Sequence, residues 1–245
     1  MSKVVLVTGA AKRIGKVIAE YFHAHDYRVV VHYRHSAQDA NALVEKLNAI
    51  RAHSAACIAA DLDQCDQVDT LIAQSVAQFG CLDVLINNAS TFYKTPVGHA
   101  SLSDWDALMT SNLKAPFFLS QTAAPYLQIQ NGCIVNMIDS HIDRPMRNYS
   151  IYSCAKAGLA MLTKSLAVEL APHIRVNAVA PGHVLWPVNA DAFSDQEKKN
   201  IMHATPLARA VDPMDIAKAA YFLVENQSIT GHTLCVDAGR SCVAS

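Results

Sequence analysis

Apolar, often β-branched runs of strand length alternate along the chain with longer amphipathic stretches. Seven such runs lie at 4–8, 28–33, 55–61, 83–88, 133–138, 174–180 and 232–237. They are apolar throughout, which is typical of parallel strands that are covered on both faces. The intervening stretches have helical length. The pattern therefore predicts an α/β fold: a single-domain, Rossmann-like, doubly wound parallel sheet of about seven strands with helices on both faces.

Three helix starts are readable in the intervening stretches. Ser36, Ser194 and Asp212 stand at N-cap positions. Ser194 is followed three residues later by Glu197, which is the pattern of a capping box. Asp212 precedes Pro213, a residue favoured in the first helical turn.

The alternation is interrupted once, at 181–205, by two prolines and a glycine before a short charged helix. A segment that follows the carboxyl end of a strand in this way is where a lid over a binding site would lie. We therefore expect one domain over 1–245 with a substrate lid at about 183–205. The alternative is a surface excursion without function.

Composition narrows the classes of partner. The 245 residues carry a net charge of −1 with scattered lysines and arginines, which suits neither nucleic acid nor an anionic membrane. Seven cysteines without CxxC spacing indicate reduced thiols in a cytosol, and no run reaches membrane-spanning length. The apolar start is too short for a signal peptide, so we expect a cytoplasmic protein. The eleven histidines show no metal-ligand spacing, and we expect no metal.

A glycine turn follows the first predicted strand. Gly9 permits a sharp turn, Gly15 permits close packing of the next helix, and that helix begins with KVIAEYF at 16–22, its N-terminus offering free N–H groups to a pyrophosphate. This arrangement predicts a dinucleotide site.

The end of the second predicted strand indicates which dinucleotide is bound. An NAD-binding protein usually carries an acid there, whereas this chain has Tyr33, Arg34, His35 and Ser36. A guanidinium and a hydroxyl suit a 2′-phosphate, so NADPH is favoured. The alternative is that these are solvated loop residues.

Tyr152 and Lys156 are spaced four residues apart in a predicted helix. That spacing places both on one face, close enough for an ammonium to stabilise a phenolate. A tyrosine stabilised in this way does acid/base work near neutral pH. The pair on its own is weak evidence, since two surface residues give the same pattern.

The chain resembles the short-chain dehydrogenase/reductases over essentially its whole length. The glycine turn, NNA at 87–89, Asn112, YSCAK at 152–156 and PG at 181–182 fall in that family's order. The resemblance implies that Tyr152 is the general acid, that Lys156 binds the nicotinamide ribose and lowers the tyrosine pKa, and that Asn112 holds a proton-relay water. It also implies a homotetramer with the helices around 101–128 and 150–171 at its interfaces.

Two departures from the family pattern resemble one branch, the pteridine reductases, which includes dihydromonapterin and dihydrofolate reductases of this fold. Arg13 replaces the middle glycine of the turn, and Asp139 replaces the serine thirteen residues before the tyrosine. The same branch is matched by TGAAKRIG, HYRHSA at 32–37, NNASTFY at 87–93 and NMIDS at 136–140. This branch implies NADPH-dependent reduction of a pterin or folate, from the dihydro to the tetrahydro form and for oxidised pterins as well.

In that branch Phe92 would stack on the pterin, Tyr149 would border its site, and Asp139 would support Tyr152 in delivering a proton. For Phe92 and Tyr149 the alternative is core packing. The expected substrate-binding residues are Arg13, Ser90, Phe92, Asp139, Tyr149 and Tyr152, and the expected catalytic residues are Asn112, Asp139, Tyr152 and Lys156. The expected cofactor-binding residues are Gly9, Arg13, Ile14, Gly15, Tyr33, Arg34, His35, Ser36, Asp61, Leu62, Asn88, Ala89, Ser90, Tyr152, Lys156, Pro181, Gly182 and Val184.

Two other functions stay open at the level of sequence. A carbonyl reductase, such as a 3-oxoacyl thioester reductase, would share everything except Arg13, Phe92 and Asp139. A catalytically silent module that senses a dinucleotide would need no proton donor, and the intact pair of Tyr152 and Lys156 argues against it.

Overall fold

The computed structural model describes residues 2–184 and 194–243. Seven strands form one parallel sheet in the order β3-β2-β1-β4-β5-β6-β7. The strands are β1 (Val4–Val7), β2 (Arg28–Tyr33), β3 (Ala55–Ala59), β4 (Val84–Asn87), β5 (Cys133–Met137), β6 (Arg175–Pro181) and β7 (Thr233–Val236). The predicted doubly wound parallel sheet is confirmed, and each predicted run contains one strand.

Helices cover both faces of the sheet. They are α1 (Arg13–Ala24), α2 (Ala37–Ile50), α3 (Cys65–Phe79), α4 (Leu102–Met109), α5 (Ala115–Ile129), α6 (Ser150–Glu169), α7 (Asp195–His203) and α8 (Pro213–Glu225). A long helix was expected around 101–128, and α4 and α5 occupy this region, joined by a π-helical turn at Thr110–Lys114. None of the helices in the described ranges combines the length and apolar character needed to cross a membrane.

The strands are apolar throughout because their two faces enter different cores. Val5 and Val7 of β1 lie in the core beneath α1, α2 and α8, whereas Val4 and Leu6 lie in the core beneath α3, α5 and α6. Every residue of the central strands β1, β4 and β5 is thus buried by one helical layer or the other, which removes the polar alternation of a half-exposed sheet.

The helix caps follow the sequence at two of the three predicted places. Ser194 and Glu197 form the capping box of α7, and the Asp212 carboxylate accepts the N–H of Met214 at 2.8 Å. Ser36 occupies the N-cap position of α2, but its side chain makes no capping hydrogen bond there. The Ser36 hydroxyl therefore does not stabilise α2 in the way the sequence predicted.

The order of the strands determines where a ligand binds. The chain runs outward from β1 through β2 to β3, then returns to β4 on the other side of β1. In open α/β sheets, ligands bind beyond the carboxyl ends of the strands at such a reversal. The loops after β1, β4, β5 and β6 meet at this edge.

Candidate active site

The turn after β1 needs its two glycines for steric reasons. Gly9 has a φ of +62°, a left-handed conformation that glycine adopts without strain. At Gly15 a Cβ would lie 2.5 Å from both the Gly9 carbonyl oxygen and the Asn88 Nδ2. The turn is therefore packed directly against the start of α1 and the end of β4, as the sequence predicted.

Residues after β4 hold this turn in place through hydrogen bonds. Asn88 Nδ2 donates to the carbonyl oxygens of Thr8, at 2.8 Å, and Gly9, at 3.2 Å. The Thr8 hydroxyl in turn accepts the backbone N–H groups of Asn88 and Ala89, each at 2.9 Å. Asn88 was predicted to line the cofactor, and its side chain holds the turn that would contact it. Asn87, the other asparagine of the motif, is buried and bonded to Asn136.

A buried histidine that the sequence analysis passed over completes the support of the turn. His32 accepts the Gly9 N–H on Nδ1 at 3.0 Å, and its Nε2 lies 3.0 Å from the Ala60 carbonyl oxygen. Burial lowers the pKa of His32 to about 4, against the opposing effects of that carbonyl and of Asp61, so the ring is neutral with its proton on Nε2. The feature of the sequence that could have indicated this role is the imidazole of His32 within the apolar run 28–33.

Several cations lie around the N-terminus of α1. Lys12, Arg13 and Lys16, with Lys46 and Asp39 of α2, line an open cavity of about 280 Å³, in which Lys12 pairs with Asp39 at 2.9 Å. Lys12 stands at the N-cap of α1, and its side chain makes no capping hydrogen bond within the described chain. Free N–H groups, neighbouring cations and the close approach permitted by Gly15 fit a pyrophosphate group. These residues would hold the diphosphate of a dinucleotide.

Arg13 differs from the family pattern in identity but has a backbone conformation that glycine adopts without strain. Its φ is +55°, in the left-handed region where the family pattern has glycine. Burial and the charge of Arg13 together lower the pKa of His183, which places Arg13 beside the turn after β6. The strained backbone thus brings a cation to the carboxyl edge of the sheet.

Arg34 lies near its predicted place but already has acidic partners. Its two terminal nitrogens contact Asp61 Oδ2 and Asp63 Oδ2, each at 2.9 Å. The sequence analysis expected both Arg34 and Asp61 to bind the cofactor, and the structure pairs them with each other. A phosphate at Arg34 would have to compete with these two carboxylates.

Tyr152 of α6 and Asp139, which follows β5, meet in the cleft. The Tyr152 hydroxyl donates to Asp139 Oδ2 at 2.8 Å. Burial raises the pKa of the phenol well above 10, and the Asp139 carboxylate raises it further. Burial also tends to raise the pKa of Asp139, but hydrogen bonds from His141 and Tyr152 outweigh that effect and lower it. The pair is therefore a neutral phenol and an ionised carboxylate.

The net pKa shift of Tyr152 is upward, whereas the resemblance implied a lower value through Lys156. The Lys156 Nζ donates to the Met137 carbonyl oxygen at 2.8 Å. Burial lowers the pKa of Lys156 itself to about 8, with Asp139 opposing the shift. The burial of the phenol and the adjacent Asp139 carboxylate thus dominate, and the phenol holds its proton at neutral pH.

Asn112 lies in the π-helical turn, a distortion common at functional sites. Its Nδ2 donates to the carbonyl oxygens of Thr91 and Leu108, both at 2.9 Å, and its Oδ1 accepts the Ser90 hydroxyl at 2.7 Å. Within the described chain, Oδ1 keeps one acceptor position, which could hold the proton-relay water that the resemblance implies. The same contact gives Ser90 a partner within the protein.

Phe92 and Tyr149 lie beside Tyr152 in one aromatic cluster. The rings of Phe92 and Tyr149 are stacked with centroids 4.6 Å apart, and Phe92 meets Tyr152 edge to face at 4.8 Å. Tyr149 is buried and Phe92 is half-buried, so one face of Phe92 is covered by Tyr149. A flat ligand would therefore stack on the other face of Phe92.

The remaining predicted residues lie along the same edge of the sheet. A Cβ at Gly182 would lie 2.6 Å from Asp237 Cα, so close packing requires this glycine. Ile14 lies in the first turn of α1. The loops and strand ends around the cleft hold Leu62, Ala89, Tyr33, His35, Ser36, Pro181 and Val184. Positions 185–193 of the expected lid lie outside the described residues.

The described end of the expected lid lies close to the aromatic cluster. Burial and the Glu197 carboxylate both raise the pKa of Tyr149, which places the start of α7 beside that ring. Across residues 2–184 and 194–243, no three His, Cys, Asp or Glu side chains converge as a metal site requires.

Comparison with known proteins agrees with this geometry. The family model described as Enoyl-(Acyl carrier protein) reductase matches residues 9–241. The 3-oxoacyl-(acyl-carrier-protein) reductase FabG of Staphylococcus aureus is 38% identical over 245 residues, which cover 98% of each chain. Pteridine reductase 1 of Leishmania tarentolae is 36% identical over 280 residues, covering 97% of this chain and 96% of its own.

A third relative acts on another class of substrate. The 3beta-hydroxysteroid dehydrogenase 1 of Eggerthella lenta is 34% identical over 245 residues, covering 98% of this chain and 94% of its own. The relatives are similar to this chain over nearly its whole length but differ in the substrates that their names state. With the match over nearly its whole length, the chain is an oxidoreductase that belongs to the short-chain dehydrogenase/reductase family.

Proposed function

We propose that this protein is an NADPH-dependent pterin reductase, which converts a dihydropterin or dihydrofolate to its tetrahydro form and also accepts oxidised pterins. The observation that carries the proposal is the hydrogen bond from Tyr152 to the Asp139 carboxylate. It places an ionised acid beside the proton donor, where the family pattern has a serine hydroxyl.

The carboxylate favours a substrate with hydrogen-bond donors. An ionised Asp139 only accepts hydrogen bonds, so it suits a ring bearing N–H and amino groups. A ketone oxygen also only accepts hydrogen bonds, and bringing it beside a buried carboxylate would place two acceptors together without a proton. Asp139 thus favours a pterin over a simple ketone.

The reaction adds one hydride and one proton to a C=N bond. When bound, a reduced nicotinamide cofactor supplies the hydride to carbon. Tyr152, which is protonated at neutral pH, donates its hydroxyl proton to the neighbouring nitrogen. To do so its O–H must turn away from Asp139 Oδ2, and a donor group of the substrate would take its place there.

Lys156 and Asn112 would support this transfer. After Tyr152 gives up its proton, the phenolate lies near the buried ammonium of Lys156, whose Nζ is 5.8 Å from the tyrosine ring centroid. A positive charge at this range stabilises the phenolate against the opposing charge of Asp139. The open acceptor position of Asn112 would hold a water that returns a proton to the site.

The choice of NADPH rests on the charge around the dinucleotide site. Lys12, Arg13 and Lys16 surround the start of α1, and Arg34 follows β2 at the predicted position of the adenosine ribose. A 2′-phosphate would bring two negative charges beside Arg34. These charges favour the phosphate over Asp61 and Asp63 as the partner of the guanidinium. The diphosphate at the start of α1 is common to both cofactors, so it is Arg34 that supports NADPH over NADH.

A second candidate is a 3-oxoacyl thioester reductase. The observation in its favour is the 38% identity to FabG, which is slightly above the 36% to pteridine reductase 1. Such an enzyme would use the same Tyr152 and Lys156. It has no evident use for a carboxylate at position 139, which is why we prefer the pterin.

The test is NADPH oxidation followed with dihydrobiopterin, dihydrofolate and an acetoacetyl thioester. We expect turnover of the pterin or folate and little of the thioester. Asp139→Ser should lower pterin turnover while leaving the dissociation constant of NADPH unchanged. Turnover of the thioester alone would exclude the pterin reductase and support the second candidate, and NADPH binding without any turnover would support a sensing module.

We further propose a homotetramer. An open groove of about 500 Å³ on α5 and α6 is lined mainly by apolar side chains, among them Phe117 and Met161. Met161 and Val168 of α6 are largely exposed, as is expected of a face that a second copy covers. Light scattering tests this, since Met161→Glu should give a smaller species.

The free cysteines of the described chain support a reducing, cytoplasmic location.

A further inference from the structure

His141, which has no role in the proposed reaction, holds one oxygen of the Asp139 carboxylate. Oδ1 accepts the backbone N–H of His141 at 2.8 Å and lies 2.9 Å from Nδ1 of the same imidazole. Both contacts come from the turn that follows β5. That turn is anchored by Ser140, whose N–H donates to the Pro181 carbonyl oxygen at 3.0 Å.

The geometry determines which nitrogen of His141 carries a proton. A carboxylate oxygen has no proton to donate, so Nδ1 must be the protonated nitrogen in this contact. The side chain of His141 is 29% exposed and that of Asp139 is 19% exposed, so the ring lies between the carboxylate and the solvent. Nε2 is left to accept a hydrogen bond or to take up a proton.

The two contacts also determine what Asp139 has left to offer. Each carboxylate oxygen accepts about two hydrogen bonds. His141 uses both positions on Oδ1, and Tyr152 uses one position on Oδ2. Within the described chain, one acceptor position therefore remains on Asp139, and it lies on the oxygen that Tyr152 contacts.

We propose that His141 is a positioning residue, which fixes the Asp139 carboxylate so that Oδ2 faces both Tyr152 and a donor group of the substrate. This inference rests on the proposed reductase function for its kinetic consequences, whereas its structural content does not depend on that function. Without the ring, the carboxyl group would rotate and exchange its oxygens. The substrate donor and Tyr152 would then lose a shared, oriented acceptor.

The kinetic test uses two substitutions at His141 and a control. His141→Ala should lower kcat for a dihydropterin about ten- to a hundredfold and raise its KM, with the dissociation constant of NADPH unchanged. His141→Asn should restore most of kcat, because its Nδ2 can donate from nearly the position of the imidazole Nδ1. His25→Ala, which removes an exposed ring whose Nδ1 contacts the Tyr21 carbonyl oxygen at 2.8 Å, should have no effect.

The pH profile separates positioning from a merely structural role. The ring contact helps to hold Asp139 ionised, so His141→Ala should move the acid limb of kcat/KM to higher pH and His141→Asn should move it back. An unchanged acid limb, or equal losses in the Ala and Asn variants, would overturn the proposal. Loss of folding in His141→Ala, seen by circular dichroism, would leave His141→Asn and the spectroscopic test below to decide.

A spectroscopic test decides the structural content even without a substrate. In ¹⁵N-histidine-labelled protein, the His141 ring, assigned by its loss in His141→Asn, should carry its proton on Nδ1. A neutral ring with its proton on Nε2 would overturn the proposal. If no pterin and no thioester were reduced, the proposed function would fail, while the protonated nitrogen of His141 would still test this inference on its own.

Discussion

The hydroxyl of Tyr152 donates a 2.8 Å hydrogen bond to the carboxylate of Asp139. The two residues are thirteen positions apart, and they meet because β5 and α6 both end or begin at the carboxyl edge of the sheet. The carboxylate holds the phenol in its protonated form and directs its proton away from the open cleft. A substrate must therefore displace Asp139 as the acceptor before Tyr152 acts as an acid.

Removal of the Tyr152 hydroxyl tests its role as the acid. We expect Tyr152→Phe to lower turnover by about 10²- to 10⁴-fold, since proton transfer by a positioned group contributes that much. The dissociation constant of NADPH, measured by fluorescence titration, should stay within about twofold of the wild type. Wild-type turnover in the variant would remove Tyr152 from the mechanism.

Arg13 has a strained backbone that glycine would relieve. Arg13→Gly should raise the free energy of unfolding by about 1 kcal/mol, because a non-glycine residue in the left-handed region is strained by that order. It should also weaken NADPH binding, because a cation at the start of α1 is lost. His53→Gly is the control: His53 has a φ of +54° in an exposed turn away from the cleft, so only the stability should change. Equal NADPH affinities in all three proteins would refute a phosphate-binding role.

The contacts of Arg34 predict a change in cofactor preference in two directions. Asp63→Asn removes one competing carboxylate, and an exposed ion pair is worth up to about 1 kcal/mol, so NADPH should bind up to about fivefold more tightly. Arg34→Asp should weaken NADPH relative to NADH. The measurement is the ratio of the two dissociation constants, with Asp66→Asn as a control for net charge. If neither substitution changed this ratio, residues other than Arg34 would determine the cofactor preference.

The buried ammonium of Lys156 predicts a pH dependence of stability. Its pKa is lowered to about 8 in the folded chain, against about 10.4 in an unfolded one. Between these values the unfolded chain binds the additional proton, so stability rises with pH across this window. Relative to Lys156→Met, the free energy of unfolding of the wild type should therefore rise by up to about 3 kcal/mol from about pH 7.5 to about pH 10.5.

Urea titrations of the wild type, Lys156→Met and Lys164→Met measure this difference. Lys164 lies on the same helix but is exposed, so its substitution should leave the pH dependence as it is in the wild type. If the wild type and Lys156→Met changed in parallel with pH, the ammonium would not be desolvated in the folded state.

Gly15 tests how closely the turn must approach the start of α1. A Cβ there would lie 2.5 Å from a backbone oxygen, so Gly15→Ala should lower the free energy of unfolding by about 1–3 kcal/mol and abolish dinucleotide binding. Gly80→Ala is the control, because Gly80 has a φ of +83° but open space around it. Its substitution should lower stability through backbone strain alone and leave NADPH binding intact. Normal NADPH affinity in Gly15→Ala would contradict the close approach.

The sequence by itself determined the architecture and the positions of the reactive groups. Buried parallel strands are apolar throughout, so the run at 28–33 could be assigned to β2 from its residues alone. The spacing of Tyr152 and Lys156, the two turn glycines and the Ser194 capping box depend on neighbours within a few positions. Local spacing of this kind is readable without knowing the rest of the fold.

The tertiary structure decided the partners and the protonation of those groups. Arg34 meets Asp61 and Asp63 across 27 and 29 positions, and His32 meets Gly9 across 23, so no local pattern announces either contact. The pKa of Tyr152 rises because burial and a carboxylate outweigh a nearby ammonium. Desolvation and the balance of opposing charges depend on distances in three dimensions, which the order of residues does not contain.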